Sequence, residues 1–195
     1  MGEIKILIEG YRREKGNVVY TTSTTVLIMD CDLYILVDPG TDKEALLKSL
    51  RSEGLKFRDI DVVLVTHCHL DYLLNIRLFP EKDIYCGNIV IKDPKIVRIP
   101  EKIPNTNVLV IPTPGHSNDH CSLLVKTEKG NVVIAGDLFY WKENEEPKID
   151  IKNLVELNDP FAKDRKALIE SRKKVLKIAD YIIPGHGKFF KVPRC

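Results

Sequence analysis

The chain has 195 residues, 44% of them apolar. That is enough to bury one sizeable core, and we expect a single domain spanning residues 1–195. Its 30 basic and 28 acidic side chains leave a formal net charge of +2, a balance that neither demands nor excludes a nucleic-acid partner. No apolar run approaches the roughly 20 residues needed to cross a bilayer, and no basic and then apolar leader opens the sequence, so we expect a soluble protein without a membrane partner.

The first third of the sequence predicts strands followed by a helix. Apolar, β-branched runs predict strands at residues 4–8, 18–29, 33–37 and 62–65. The polar segment 12–17 is predicted to be the turn between the first two strands. A helix is predicted over residues 41–53, because apolar residues recur at helical spacing between a Thr41 N-cap and Gly54. A helix therefore follows the third strand.

The rest of the chain repeats this order of strands and then a helix. A short helix is predicted from Asp71 to Pro80. Further strands are predicted at residues 84–86, 96–99, 108–111, 121–126, 132–135 and 181–183. The last helix is predicted over about residues 159–178. Strands before helices, twice over, are compatible with sheets that carry helices on their outer faces.

Histidine and aspartate side chains stand at or just beyond the ends of several predicted strands. The candidates are His67, His69, Asp71, His116, Asp137 and His186. Imidazole and carboxylate are the groups that bind zinc, iron or manganese. Residues two apart in extended or loop backbone point to one side, so the first three can converge. The remaining three lie in loops marked by glycine or proline, where binding sites on α/β scaffolds are built.

Five widely spaced cysteines contain no Cys-x-x-Cys pair. They are Cys31, Cys68, Cys86, Cys121 and Cys195. Their odd number and spacing argue against a disulfide framework or a cysteine zinc site, and indicate a reducing cytoplasm. Although Cys68 stands between two candidate ligands, its side chain should point the opposite way, so packing is favoured for it and for Cys121.

Four segments of the chain resemble the metallo-β-lactamase superfamily and its glyoxalase II-like hydrolases. These segments are Thr66–Asp71 (THCHLD), Thr113–Ser117 (TPGHS), Ala135–Asp137 (AGD) and Pro184–Gly187 (PGHG). The turn that begins at Asp38 also fits the family, which has an aspartate there that supports the site. The resemblance implies an α/β (α+β) fold, an αββα four-layer sandwich of two mixed β-sheets flanked by helices. The site is then expected at one edge.

The resemblance also implies which residues hold metal. His67, His69 and His116 would hold a first metal, and Asp137 would bridge to a second held by Asp71 and His186. The cofactor is expected to be one or two divalent metal ions, with zinc the default and iron or manganese the alternatives. Because several true β-lactamases of the family have a cysteine in place of Asp137, antibiotic hydrolysis is not favoured.

Tyr72 stands where the family carries a further histidine ligand. A phenol, with a reference pKa of about 10, is a poorer ligand at neutral pH than an imidazole, so the second site is expected to be weak. Three interpretations stay open. The side chain packs near the site, it is a catalytic group that hydrogen-bonds water or substrate, or it binds iron as phenolate. His120 is interpreted as a strand-start residue rather than a replacement ligand.

The expected function is that of a metal-dependent hydrolase. A divalent metal would activate water to attack an ester, thioester or phosphodiester, and Asp71 would orient that water or accept its proton. Two other function classes are a mononuclear-iron oxidoreductase, resembling the superfamily's persulfide dioxygenases, and a non-catalytic metal-binding protein. Metal content and turnover distinguish the three.

The substrate is expected to be a small-molecule ester or thioester, or an RNA, and a homodimer is left open. One branch of the superfamily that the C-terminal segment resembles suggests RNA cleavage. Basic residues that could bind phosphates are Lys163, Arg165, Lys166, Arg172, Lys173, Lys174 and Lys177. A solvated helix face is the favoured interpretation of this set. Phe139, Tyr140 and Trp141 either line a substrate pocket or pack in the core.

Overall fold

A computed structural model describes residues 1–92, 94–143 and 145–194. The strands of this part are, in chain order, β1 (Glu3–Ile8), β2 (Tyr11–Lys15), β3 (Val18–Thr22), β4 (Thr25–Asp30), β5 (Leu33–Val37), β6 (Val62–Val65), β7 (Ile84–Cys86), β8 (Ile89–Lys92), β9 (Lys95–Arg98), β10 (Leu109–Pro112), β11 (Cys121–Thr127), β12 (Gly130–Tyr140), β13 (Tyr181–His186) and β14 (Phe190–Lys191). The helices are α1 (Lys43–Ser52), α2 (Leu70–Leu73), α3 (Ile151–Glu156) and α4 (Arg165–Ile178), with 3₁₀ turns at Phe57–Asp59 and Leu74–Leu78.

The strands form two mixed sheets and a separate hairpin. The first sheet has the order β1-β4-β5-β6-β7-β8-β9, and the second has the order β10-β11-β12-β13-β14. Within them β6 runs parallel to β5 and β7, and β12 runs parallel to β13, while the other pairs are antiparallel. Within the described ranges, strands β2 and β3 pair only with each other and form the third, two-stranded sheet.

Apolar side chains on both faces of each sheet produce four layers. Between the sheets, residues such as Ile28 and Leu64 from the first pack with Leu123 and Ile134 from the second. The outer face of the first sheet packs against Leu46 and Leu50 of α1. The outer face of the second packs against Leu154 of α3 and Leu168 and Val175 of α4. Full burial of one such side chain contributes about 1.5–3 kcal/mol. The predicted αββα sandwich is confirmed.

Parallel pairing brings several strand ends to one edge of the sandwich. Asp38 follows β5 and His67 follows its parallel neighbour β6 by two residues. In the second sheet Asp137 lies in β12 and His186 ends β13. Because the carboxyl ends of parallel strands point the same way, residues distant in the sequence meet at this edge.

The segment between residues 11 and 30 differs from the prediction. The turn expected over 12–17 is largely strand β2, and the long strand expected over 18–29 is divided into β3 and β4. Lys15 pairs with Val18, so the actual turn is only Gly16-Asn17, with Gly16 at a φ of 61°. Glycine adopts this left-handed conformation without a steric penalty, which lets a two-residue turn close the hairpin.

The last helix is shorter than predicted. It begins at Arg165, because the Asp164 side chain accepts a hydrogen bond from the Ala167 amide at 3.0 Å and caps it. Residues 157–164 are not helical, and α3 precedes them. Pro160 disfavours helical backbone at Asp159, which leaves that carboxylate free to reach the candidate site. The prediction of a helix from residue 159 was wrong for this reason.

Arg172 on α4 is a buried structural residue rather than part of a phosphate-binding face. Only 1% of it is exposed, and its guanidinium donates to the carbonyl oxygens of Leu138 at 2.7 Å, Leu157 at 2.5 Å and Val155 at 3.4 Å. Burial lowers its pKa to about 10. The Arg172 guanidinium therefore connects α4 to β12 and to the end of α3. Arg172 is not available for binding phosphates, unlike the prediction for the basic set.

We expect Arg172→Met to destabilise the fold by about 3 kcal/mol, because one buried and two partly buried carbonyl groups lose their donor. Urea unfolding followed by circular dichroism measures this change. Lys173→Met is the matched control, since the Lys173 side chain is 54% exposed and pairs with Glu170; its effect should stay within about 0.5 kcal/mol. Equal stability of the two variants would contradict the structural role of Arg172.

The structure pairs Cys68 with Cys86 in a disulfide, with Cα atoms 6.4 Å apart. The expectation that the cysteines remain unpaired is therefore wrong for these two, and with it the packing role of Cys68, which is exposed. Strand β7 lies beside β6 in the sheet, so its end reaches the loop that carries Cys68. Cys121 is buried in the core between the sheets, as predicted.

None of the helices in the described ranges is long and apolar enough to cross a membrane.

Candidate metal centre

Four of the six candidate ligands converge on one point. Ligand atoms of His67, His69, His116 and Asp137 all lie within 4.8 Å of one another. His69 Nδ1 is 2.9 Å from His67 Nε2 and 3.1 Å from His116 Nε2. The Asp137 Oδ2 atom lies 3.3 Å from His116 Nε2 and 3.8 Å from His67 Nε2. Three imidazole nitrogens and one carboxylate oxygen are a donor set that suits a divalent transition metal.

A chain of hydrogen bonds behind His67 fixes its orientation. The Thr66 hydroxyl donates to the Asp38 carboxylate at 3.1 Å and lies 3.1 Å from His67 Nδ1. Because the Thr66 hydroxyl donates its hydrogen bond to Asp38, the hydroxyl oxygen accepts one from His67 Nδ1–H. His67 Nε2 is then free to bind a metal. Asp38 also accepts from the Thr66 amide at 2.7 Å, and its φ is 49°. The family's aspartate turn thus supports the site from behind, as the resemblance implied.

Burial keeps two of the imidazoles neutral. It lowers the pKa of His67 well below its usual value, and neighbouring histidines lower it further. It also lowers the pKa of His69, where His116 adds to the effect. Because a metal binds neutral imidazole, both side chains are ready ligands at neutral pH.

His116 is held by a carboxylate that the sequence did not single out. His116 Nδ1 lies 2.7 Å from Asp159 Oδ2. Burial lowers the pKa of His116, but the hydrogen bond to Asp159 and the charge of Asp137 outweigh it, so the net pKa is raised. A carboxylate on the far nitrogen of a ligand histidine orients the ring and increases its basicity. Asp159 is therefore part of the centre, although it does not face the cluster.

We expect Asp159→Asn to weaken metal binding by about 10- to 100-fold, since the substitution removes this charge while keeping the shape. Competition with a chromophoric chelator measures the affinity. Asp150→Asn is the control, because Asp150 is also an aspartate but caps α3 at an exposed position. A metal affinity equal to that of the control would contradict the supporting role of Asp159.

The remaining candidates form a second group around Tyr72. His186 Nε2 lies 3.5 Å from Asp71 Oδ2 and 3.6 Å from Asp137 Oδ1. The Tyr72 hydroxyl donates to the same Asp137 oxygen at 2.5 Å and lies 3.4 Å from His186 Nε2. His186 Nδ1 is 3.0 Å from the Thr22 carbonyl oxygen, and the Thr21 hydroxyl donates to Asp71 at 2.9 Å. All six candidates are therefore in one place, with a phenol among the second group.

Tyr72 is fully buried and its phenol is neutral. Burial raises its pKa well above the usual value, and the charges of Asp137 and Asp38 raise it further. Gly185 makes room for it: a β-carbon at that position would come within contact distance of both the Tyr72 hydroxyl and Asp137 Oδ1. The tyrosine thus fills space beside Asp137 and donates a hydrogen bond to the oxygen that faces the second group.

A cavity of about 150 Å³ opens over the centre. Its lining residues are Arg12, His69, Asp71, His116, Asp137, Tyr140, Phe161 and His186. Of the three consecutive aromatics at and just beyond the end of β12, Tyr140 lines this cavity, while Phe139 and Trp141 pack in the core. Alternation of side chains along a strand explains the division. Sequence reasoning left open whether the three line a pocket, and it missed Arg12 and Phe161.

His120 lies behind the cluster, directly before β11, as expected for a strand-start residue. It is 2% exposed, and its ring centroid is 5.0 Å from that of His67. Burial lowers its pKa to about 3. Its Nδ1 lies 2.9 Å from the Thr113 hydroxyl, and the four-residue cluster of ligand atoms does not include it.

Comparison with known proteins identifies the class to which this fold and site belong. The Metallo-beta-lactamase superfamily profile matches residues 18–94 and 85–186, and the chain belongs to that superfamily. Metallo-beta-lactamase domain-containing protein 1 from Xenopus laevis is 32% identical over 97% of this chain and 81% of the relative. The protein of the same name from Rattus norvegicus is 32% identical over 82% of this chain. The matched region spans 64% of that relative's length.

Solved structures share the fold at low sequence identity. A candidate metallo-beta-lactamase from Thermotoga maritima has a TM-score of 0.74 at 22% identity, covering 97% of this chain and 99% of its own. The dizinc quorum-quenching lactonase AidC has a TM-score of 0.64 at 16% identity, with coverage of 91% and 81%. The protein TTHA1623, crystallised in a di-iron-bound form, has a TM-score of 0.63 at 21% identity, with coverage of 93% and 94%.

Proposed function

We propose that the protein is a metal-dependent hydrolase that cleaves a small ester or thioester. The observation that carries the proposal is the convergence of four ligand atoms, from His67, His69, His116 and Asp137, on one point at the floor of a cavity. A divalent metal held there would lower the pKa of water towards about 7 and polarise a scissile carbonyl group. Membership of a superfamily with many metal-dependent hydrolases supports the assignment.

We propose one tightly held metal per chain. The donor set of three histidines and Asp137 is complete, and the hydrogen bonds that His67 and His116 donate to Thr66 and Asp159 orient two of its rings. The second group offers Asp71, Asp137 and His186, but the Asp137 oxygen on that side already accepts from Tyr72. A neutral phenol is a poor metal ligand. Solved relatives in the fold carry zinc or iron pairs, and zinc is our default for this chain.

The side chains around the metal position have distinct proposed roles. Asp71 lines the cavity with a partly exposed carboxylate, and it orients the attacking water and accepts its proton. Tyr72 donates to Asp137 and thereby positions that ligand, which is the role its geometry favours over packing alone or phenolate ligation. Tyr140 lines the cavity with a neutral phenol, since burial raises its pKa.

A small substrate is favoured over RNA. The cavity of about 150 Å³ is below the usual 300–1,000 Å³ of ligand pockets, so the reacting part of the substrate is compact. Arg172, one of the basic residues that suggested RNA binding, is buried. The exposed Lys173 side chain pairs with Glu170. These observations favour the interpretation of α4 as a solvated helix face.

A mononuclear-iron oxidoreductase is the second candidate function. The observation that favours it is Tyr72, because a site limited to one metal by this side chain suits single-iron chemistry with open coordination positions. A non-catalytic metal-binding protein is the third class.

Metal analysis of protein purified without added metal, combined with turnover assays, tests the proposal. We expect near one equivalent of metal per chain and hydrolysis of short aryl esters and thioesters that is lost on chelation and restored by zinc. Near-stoichiometric iron with consumption of oxygen would favour the oxidoreductase. Bound metal without turnover on ester, thioester, lactone and nucleic-acid panels would favour a binding role.

A further inference from the structure

Arg12 is the cationic side chain among the residues that line the cavity over the candidate metal centre. It lies on β2 of the separate hairpin, directly opposite Thr21 of β3. The Thr21 hydroxyl donates to Asp71 at 2.9 Å, so the two hairpin residues share the face that meets the centre. Directly opposed residues in an antiparallel pair have neighbouring side chains. The hairpin therefore brings a guanidinium to the entrance of the site.

An aromatic platform holds this guanidinium in place. The Arg12 Cζ atom lies 5.1 Å from the centre of the Phe161 ring, a cation–π distance. The Phe161 amide donates to Asp159 Oδ1 at 2.9 Å, and the other oxygen of Asp159 lies 2.7 Å from His116 Nδ1. The platform and a candidate metal ligand thus contact the same carboxylate, which places the guanidinium and the candidate metal centre on one connected set of residues.

The positive charge of Arg12 is only weakly compensated. Among the described residues its one carboxylate partner within 4.0 Å is Glu14, at 3.4 Å, and Glu14 is shared with Lys142 at 3.3 Å. The Arg12 Nε atom is shielded from solvent and has no hydrogen-bond partner in this part of the chain. An unpaired buried donor is unfavourable. The side chain as a whole is 19% exposed, so an oxyanion in the cavity would bind the terminal Nη atoms of the guanidinium.

We propose that Arg12 binds an anionic oxygen group of the substrate, so that the enzyme selects a small acyl compound bearing a carboxylate or phosphate. This inference rests on the proposed hydrolytic function, because it places the scissile carbonyl at the metal position. The small cavity volume requires the two ends of the substrate to be close together. Arg12 is then a specificity-determining residue that acts through substrate binding.

Calorimetric titration of the metal-loaded protein tests the proposal with three probes: succinamate, the neutral succinamide and inorganic phosphate. We expect succinamate to bind at least about 10-fold more tightly than succinamide, since a hydrogen-bonded charge is worth one to two orders of magnitude in affinity. Arg12→Gln should remove this difference, whereas Arg12→Lys should retain part of it. Phosphate binding that weakens about 10-fold in Arg12→Gln, without selection of succinamate, would identify the anion as phosphate.

Arg13→Gln is the matched control, because it removes the same charge from the neighbouring residue. The Arg13 side chain is 52% exposed, pairs with Glu143 at 3.5 Å and lies over Tyr20 rather than in the cavity. Its binding constants should match those of the unaltered protein. Affinities for succinamate and phosphate that are independent of Arg12, or that fall equally in both variants, would overturn the proposal.

The binding readout separates this inference from the proposed function. Anion binding that depends on Arg12, in a protein that hydrolyses no ester or thioester, would retain the anion site and reject hydrolysis. Hydrolysis of neutral and anionic esters with equal kcat/KM, together with binding that is independent of Arg12, would retain hydrolysis and reject the anion site.

Discussion

Replacing His116 by alanine is expected to abolish stoichiometric metal binding and to lower kcat/KM for ester hydrolysis by about a thousandfold or more. The imidazole supplies one of four donor atoms within 4.8 Å of one another, and Asp159 orients it. A catalytic metal contributes several kcal/mol to transition-state stabilisation, and each 1.36 kcal/mol is tenfold in rate. Elemental analysis after dialysis and steady-state kinetics measure the two effects. Asp137→Ala should behave in the same way.

His120→Asn is the matched control for these variants. His120 is buried beside His67 but contributes no atom to the four-residue cluster. Its substitution should retain about one metal per chain, even if it lowers the stability of the fold. Thermal unfolding by circular dichroism identifies any variant that fails to fold. A folded His116→Ala protein with full metal content and activity would show that the proposed ligand set is wrong.

Exchanging Tyr72 for histidine is expected to raise the metal content from one to two equivalents per chain. The substitution removes the phenol that donates to Asp137 Oδ1 and adds an imidazole beside His186 and Asp71. Asp71, Asp137, His186 and the new side chain then supply four donor groups, which is a sufficient number for a second metal. Elemental analysis after zinc loading gives the stoichiometry.

Tyr72→His both adds an imidazole ligand and removes the hydroxyl group. Tyr72→Phe only removes the hydroxyl group, so it is the matched control. This variant should hold one metal, less tightly, because Asp137 loses a buried hydrogen bond worth about 1–3 kcal/mol. If the unaltered protein already holds two metals, or if Tyr72→His holds only one in a folded state, then Tyr72 does not set the metal number.

Residues at the ends of buried strands were the part of the site that the sequence could predict. The run from Val62 to Val65 is continuous and apolar, so its strand and the ligand that follows it were clear from the residues alone. His186 likewise ends a strand of the second sheet, whereas Asp137, predicted just beyond a strand, lies inside the longer β12. The alternating candidates His67 and His69 predicted a metal site, because two histidines two residues apart can bind one metal ion.

Supporting residues were harder to predict because their roles depend on long-range packing. Asp159 was placed in a helix, since periodicity alone did not reveal that the helix begins six residues later. The dipeptide Asp159-Pro160 carried the missing signal, because the residue before a proline avoids helical backbone. Arg12 was predicted to lie in a turn. Its position over the cavity depends on which residues of β2 and β3 pair, and the order of charged residues in the sequence does not predict that pairing. The pairing of Cys68 with Cys86 likewise depends on which strands are neighbours.

On the proposed function, the hairpin formed by β2 and β3 gives this protein a means of changing specificity separately from reactivity. Within the described residues it pairs with neither of the main sheets, yet it carries Arg12 into the cavity. Arg12 on β2 can be exchanged without altering the strands that hold the histidines, whereas the opposite strand, at Thr21 and Thr22, must remain to support Asp71 and His186. Evolution or laboratory selection would then redirect substrate preference through a few positions in one ribbon, while the proposed metal site is inherited unchanged.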